Sequence, residues 1–227
     1  MNSTTLYLLV LLLFVAGMAA QAGVRSTFQK YNAHSSSSGL TGAMAAERIL
    51  YSAGITDVRV VPIAGELTDN YDPREKVLHL SQSTYYSGSV AAIGVAAHEC
   101  GHAIQHHKNY VPIRLRNQVL PAAMLGSNSA LPLFLLGLFT SIRPLIYVGI
   151  ILFGATTLFQ LVTLPVELDA SKRALEILED DRILTTQEVG GARKVLIAAA
   201  MTYVVAALTS IVQLLRLVAM SQNRRRD

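Results

Sequence analysis

Ser89-Val90-Ala91-Ala92-Ile93-Gly94-Val95-Ala96-Ala97-His98-Glu99-Cys100-Gly101-His102-Ala103-Ile104-Gln105-His106-His107 is the stretch on which the fold turns. Ser89 is a residue of the N-cap type, alanine and valine fill the body, and no proline follows until Pro112, so the pattern predicts one helix from Gly88 to His107. The apolar part before His98 is about ten residues, short of the ~17 that a membrane crossing requires. The expectation is therefore a buried helix of a polar domain. That helix carries His98-Glu99-Cys100-Gly101-His102, an H-E-x-x-H sequence. Residues four apart share a helical face, so both imidazoles can converge on one ion at Zn–N distances of about 2.0–2.1 Å. Glu99 lies about 100° round the helix from His98. It can reach a metal-bound water without being a ligand, as a general base must.

Outward from this helix the chain changes character. Of 227 residues, 52% are hydrophobic and 15% charged, which is apolar for an ordinary soluble domain. The apolar residues gather in four runs, roughly Thr5 to Ala20, Val119 to Phe139, Leu145 to Leu164 and Val195 to Leu215. The last three match the ~20 residues that cross ~30 Å of hydrocarbon. The first is shorter, and Ala20-Gln21-Ala22 resembles a signal-peptide cleavage site. However, Met1 to Thr5 lacks the positive charge of a signal peptide, which favours a retained anchor. The implied organisation is an anchor at 1–21, a polar domain at 22–118, a transmembrane hairpin at 119–164, a helical segment at 165–194, and a fourth apolar helix with a basic tail at 195–227.

Within the polar domain, Thr41 to Leu50 reads as a helix capped by Thr41, stopped near Gly54 and burying Ala46, Ile49 and Leu50. Val58 to Pro62 and Lys76 to Leu80 read as the strands of a β-hairpin, with the turn-rich Asp69-Asn70-Tyr71-Asp72-Pro73 in the loop between them. The fold class is α+β, mainly α-helical: a multi-span membrane protein with a small zincin-like domain.

The single cysteine, Cys100, excludes an internal disulfide and a cysteine zinc cluster, so a metal site must use histidine and carboxylate. The net charge of +4 includes Arg224-Arg225-Arg226 beside an apolar run, which reads as a contact with the lipid bilayer rather than with nucleic acid. A third ligand is needed beyond His98 and His102. His106 is on the same face but about 12 Å along the axis from His98. The downstream histidine of a metzincin is replaced by Lys108. His34 and His79 remain open. The better candidate is Glu167, in Leu164-Pro165-Val166-Glu167-Leu168-Asp169-Ala170-Ser171, a carboxylate close to the end of an apolar run. Two crossings separate it from His98, which returns the chain to the same side of the membrane.

The run Ala96 to Gln105, the upstream Leu67 to Pro73, Thr163 to Ser171 and Ala198-Ala199-Ala200-Met201-Thr202-Tyr203 together resemble, in this order and over nearly the whole chain, the bacterial membrane-bound neutral zinc metallopeptidases. Cys100 departs from the aliphatic residue expected there. The resemblance implies a gluzincin-like peptidase of peptide or protein substrates with Zn2+ as cofactor. His98, His102 and Glu167 would be its ligands and Glu99 its base, in the bacterial inner membrane. Asp169 or Ser171 would steady a ligand histidine through its second nitrogen, or else cap a helix after Pro165. Tyr85, Tyr86, Tyr203 and Arg173 are candidates for stabilising an oxyanion.

Two other readings compete. An intramembrane site-2-like protease would place H-E-x-x-H inside a span and take an aspartate as third ligand. The short apolar run before His98, and Ala170 where such enzymes favour glycine after Leu-Asp, oppose it. A non-catalytic zinc-binding membrane scaffold would keep the ligands without needing Glu99 as a base. The flanks of the catalytic segments carry Arg25, Lys30, Lys108, Arg114, Arg116, Lys172, Arg173, Arg193 and Lys194, against Arg143 alone in the turn between the second and third runs. By the positive-inside rule the site faces the cytoplasm. Arg224 to Arg226 run against the rule if the fourth run crosses fully, and Gln213 and Arg216 interrupt that run.

Overall fold

The structure is a computed structural model describing residues 3–223. Its elements are α1 (Ser3–Asn32), α2 (Gly42–Ser52), β1 (Arg59–Ile63), β2 (Asn70–Asp72), β3 (Val77–Ser81), α3 (Gln82–Tyr85), α4 (Val90–His107), α5 (Val111–Thr140), α6 (Arg143–Asp180) and α7 (Thr186–Asn223). The protein is thus mainly helical with one small sheet, and α1, α5, α6 and α7 are long and apolar enough to cross a membrane. Large apolar side chains such as Leu12, Phe14, Phe139 and Ile151 stand exposed on these helices, as lipid-facing residues would.

The helices outrun the apolar runs that announced them. Hydropathy marks the part of a helix matched to hydrocarbon, whereas backbone hydrogen bonding continues into polar sequence. Accordingly α6 passes through Pro165 without a break, which removes the reading of Asp169 or Ser171 as a helix cap. Likewise α7 is continuous past Gln213 and Arg216. Arg224 to Arg226 lie outside the described residues.

The chain forms two compact units. One gathers the described residues up to Ala20, Val111–Pro165 and those from Thr202 onward, and buries Phe134, Ile146 and Leu217 together. The other comprises Gln21–Tyr110 and Val166–Met201. Its core joins Ile49 and Leu50 of α2, Leu78 and Leu80 of β3, Ile93, Ala96 and Ala97 of α4, and Leu178 of α6.

Local signals set the ends of the short helices in this second unit. Thr41 caps α2 by accepting from Met44 N at 3.3 Å, and Gly54 beyond its end has φ 72, a left-handed conformation natural to glycine. Ser89 caps α4 by accepting from Ala92 N at 3.1 Å.

The sheet corrects the expected hairpin. The strand order is β1-β3-β2: β1 pairs with β3 in parallel, Arg59 opposite Val77, and β2 pairs with β3 antiparallel, Asn70 opposite His79. The segment read as loop therefore contains a strand. Its Asn and Asp are turn-like by composition, but β3 is buried in the centre and both of its edges need partners. The true hairpin is β2–β3, whose turn is held by Asp72 Oδ1 accepting from Arg74 N at 2.7 Å and Glu75 N at 3.3 Å.

Gly101 sets how closely α4 and α6 approach. A Cβ there would lie 2.6 Å from Ala170 O and 3.1 Å from its carbonyl carbon, so only glycine fits. Gly101→Ala is expected to lower unfolding stability by about 1–3 kcal/mol, as overpacking typically does. Gly190→Ala, where a Cβ meets nothing within 4 Å, should be neutral or stabilising by up to about 1 kcal/mol. Thermal or denaturant unfolding of the two variants side by side checks this. Equal stability would contradict the close approach.

Candidate metal centre

The helical spacing of α4 turns His98 and His102 to one side, their ring centroids 4.8 Å apart. From α6, Glu167 Oε2 comes to 3.3 Å from His98 Nε2 and 3.5 Å from His102 Nε2. Among the described residues this is the group of three or more metal-ligating side chains whose ligand atoms converge, all within 4.8 Å of one another. Glu167 is buried, and no hydrogen bond of good geometry reaches its Oε2; against the effect of burial, the two imidazoles hold its pKa below the ordinary value. A buried carboxylate oxygen without a well-formed hydrogen bond is costly in an apolar interior. Ligand atoms around a tetrahedral zinc with bonds near 2.0–2.1 Å stand about 3.3–3.4 Å apart. The two Glu167 distances fit that spacing, and the donor set of two imidazoles and a carboxylate suits zinc.

Glu99 is buried beside the group on α4, and among the described residues no hydrogen bond fixes its carboxylate. Burial raises its pKa above the ordinary value; the neighbouring His98 and His102 oppose the rise, and Glu167 and Asp69 add to it. For His102, burial pulls the pKa down, but the Glu167 and Glu99 carboxylates outweigh it and the net shift is upward. Two acidic groups facing two imidazoles attract positive charge, either as protons or as a cation.

The remaining predicted residues divide. Ser171 Oγ lies 3.1 Å from His98 Nδ1, so it touches a member of the group through the far ring nitrogen. Asp169 does not touch a histidine: its Oδ2 accepts from Arg173 Nε at 2.6 Å and from Gln105 Nε2 at 2.8 Å. Arg173 is held on Asp169 and sits over the Tyr110 ring at 5.6 Å. Tyr203 belongs to the other compact unit. Tyr85 ends α3, and its ring packs edge-on against Tyr86.

The other histidines weighed as ligands are used elsewhere: His34 Nδ1 against Lys30 O, His79 Nδ1 against Asn70 Oδ1, and His106 Nδ1 against Tyr71 OH. Sequence reasoning missed Gln105, whose Oε1 is 3.0 Å from His102 Nδ1. Its position one turn beyond His102, on the same helix, is the one local trace it leaves in the sequence, and that trace alone does not single it out.

A histidine pair on one helix, a glutamate between them and a carboxylate brought in from a distant helix are the working parts of metallopeptidases of the H-E-x-x-H class. In this chain they are accompanied by four helices long and apolar enough to cross a membrane. Comparison with known proteins narrows the class: the chain belongs to the family described as "putative neutral zinc metallopeptidase", whose model matches residues 6–222. A curated relative, the "putative membrane protease YugP" of Bacillus subtilis (strain 168), is 48% identical over 206 residues, covering 91% of this chain and 92% of the relative. No solved structure matches the chain.

The raised pKa of Glu99 has a sign that can be measured. An acid whose pKa rises on folding binds more protons in the folded state, so it weakens the fold as pH climbs past its ordinary value of 4.5. Metal-free Glu99→Gln should therefore melt at a higher temperature than the metal-free parent near pH 8, with the gap shrinking as pH falls towards 4.5. Melting curves across that range check it. A gap that widens on acidification would reverse the assignment.

Proposed function

We propose that the protein is a zinc-dependent peptidase in which His98, His102 and Glu167 hold the ion and Glu99 is the general base. The observation that carries this reading is the buried Glu167 Oε2, reached by no hydrogen bond of good geometry and set 3.3 and 3.5 Å from the two imidazole nitrogens. Zinc bound there would lower the pKa of water towards ~7 and polarise the scissile carbonyl. Glu99, kept basic by burial, takes the proton from the attacking water. It then delivers that proton to the nitrogen of the leaving amine. Ser171 steadies the His98 ring during the cycle. Substrates are peptides or proteins.

Two observations favour this over an intramembrane protease: Asp169 is committed to Gln105 and Arg173, and α4 is not one of the helices apolar enough to cross a membrane. The charge distribution supports a site at the cytoplasmic face of the inner membrane.

Purified protein should hold about one zinc per chain, and His98→Ala or His102→Ala should lose most of it. Glu167→Ala should bind more weakly. Glu99→Gln should keep its zinc and lose peptide hydrolysis by about 10²–10⁴-fold. Metal analysis and cleavage of a peptide library, run on the same preparations, check this. Undiminished zinc in both histidine variants would refute the ligand set. Full cleavage by Glu99→Gln would refute the base.

For sidedness, Tyr51 on α2 is 78% exposed. Tyr51→Cys in a Cys100→Ala background should resist a membrane-impermeant thiol reagent in intact cells and react after lysis. Labelling of intact cells would place the site outside and leave the zinc chemistry standing.

A further inference from the structure

We propose that Gln105 is a positioning residue for His102. Its amide is locked with the oxygen towards Nδ1, which keeps the ring proton on Nδ1 and the Nε2 lone pair for the metal. The inference rests on the zinc reading and adds to it the group that orients one of the ligands.

Gln105 is fully buried. Its Nε2 lies 2.8 Å from Val166 O and 2.8 Å from Asp169 Oδ2. A carbonyl and a carboxylate are both acceptors, so the amide NH2 must face them. A flipped amide would set oxygen against oxygen twice. Asp169 cannot turn aside, because Arg173 holds it through Nε at 2.6 Å and Nη2 at 3.3 Å. The amide oxygen is thereby presented to His102 Nδ1 at 3.0 Å. An amide oxygen only accepts, so Nδ1 must carry the proton. A neutral imidazole has one N–H, which leaves Nε2 bare on the side of Glu167.

His98 is held differently. Its Nδ1 faces the Ser171 hydroxyl at 3.1 Å, and a hydroxyl both donates and accepts, so it steadies the ring without choosing the tautomer. The lock also has a fixed reference. Val166 and Asp169 flank Glu167 on α6, so the atoms that orient Gln105 belong to the helical turn that supplies the third ligand. One amide thus registers a ligand on α4 against a ligand on α6.

The test measures zinc affinity by chelator competition on the full-length protein in detergent. Gln105→Leu keeps the bulk and removes the hydrogen bonds, and should bind zinc about 10–100-fold more weakly, the usual effect of losing a partner that orients a metal-bound histidine. Gln105→Glu keeps an acceptor for His102 but sets its second oxygen against Val166 O and Asp169 Oδ2, so its affinity should fall below that of the parent yet stay above that of Gln105→Leu. If Gln105 were only a clasp between helices, the glutamate variant would be as weak as the leucine one. That result, or undiminished affinity in Gln105→Leu, overturns the proposal.

A second measurement needs no variant. In zinc-loaded protein with 15N-labelled histidine, His102 should show a slowly exchanging proton on Nδ1 and metal on Nε2, whereas metal on Nδ1 overturns the proposal. If the parent holds no zinc at His98, His102 and Glu167, both readings fall. If it holds zinc there and Gln105 is indifferent, only this one does.

Discussion

Two helices bring a histidine pair and a remote carboxylate within 3.5 Å of each other only where their backbones almost touch. In this protein that place is Gly101 against the Ala170 carbonyl. One residue on either side of Gly101 stand Cys100 and His102, and three residues before Ala170 stands Glu167. The approach follows from the absence of a side chain, and the core of Ala96, Ala97, Ala174 and Leu178 packs around it. The distances within the His98, His102 and Glu167 group depend on that approach. Small residues on α4 are thus what let polar ones meet.

Electrostatics then makes the meeting place unstable without positive charge. Glu99 and Glu167 are both buried, and burial of a carboxylate without a partner is unfavourable. Both imidazoles pair with Glu167 and oppose the rise in the Glu99 pKa, which offsets part of that cost. The same burial raises the basicity of Glu99, so the cost to stability and the capacity to accept a proton have one origin. Stability given up at a site in this way is a common trade for chemistry.

What the sequence made legible was local. His98, Glu99 and His102 lie within a turn and a half of one helix, where spacing alone dictates which faces they share. Glu167 was legible for another reason, since a carboxylate beside a long apolar run stands out on solvation grounds. Gln105 was not, because a glutamine on a helix is ordinary until the acceptors across from it are known, and Val166 O and Asp169 Oδ2 are brought there by tertiary packing. The sheet failed for the same reason. Nothing local in Arg59–Ile63 tells whether β3 will run parallel or antiparallel to it, and Asn70-Tyr71-Asp72 becomes a strand only because β3 has an edge to satisfy.

The pairing of α4 with α6 also dictates a timetable. Ser171 follows His98 by 73 residues, and the whole hairpin of α5 and the apolar part of α6 is made between them. At roughly 5–20 residues per second, the histidines exist for several seconds before the ribosome supplies the carboxylate and the hydroxyl that complete their surroundings. During that interval the nascent chain has two of the three converging side chains and no partner for Gly101. The group of His98, His102 and Glu167 is therefore complete only after two further long apolar helices have been synthesised, so its chemistry is tied to the end of translation rather than to its start.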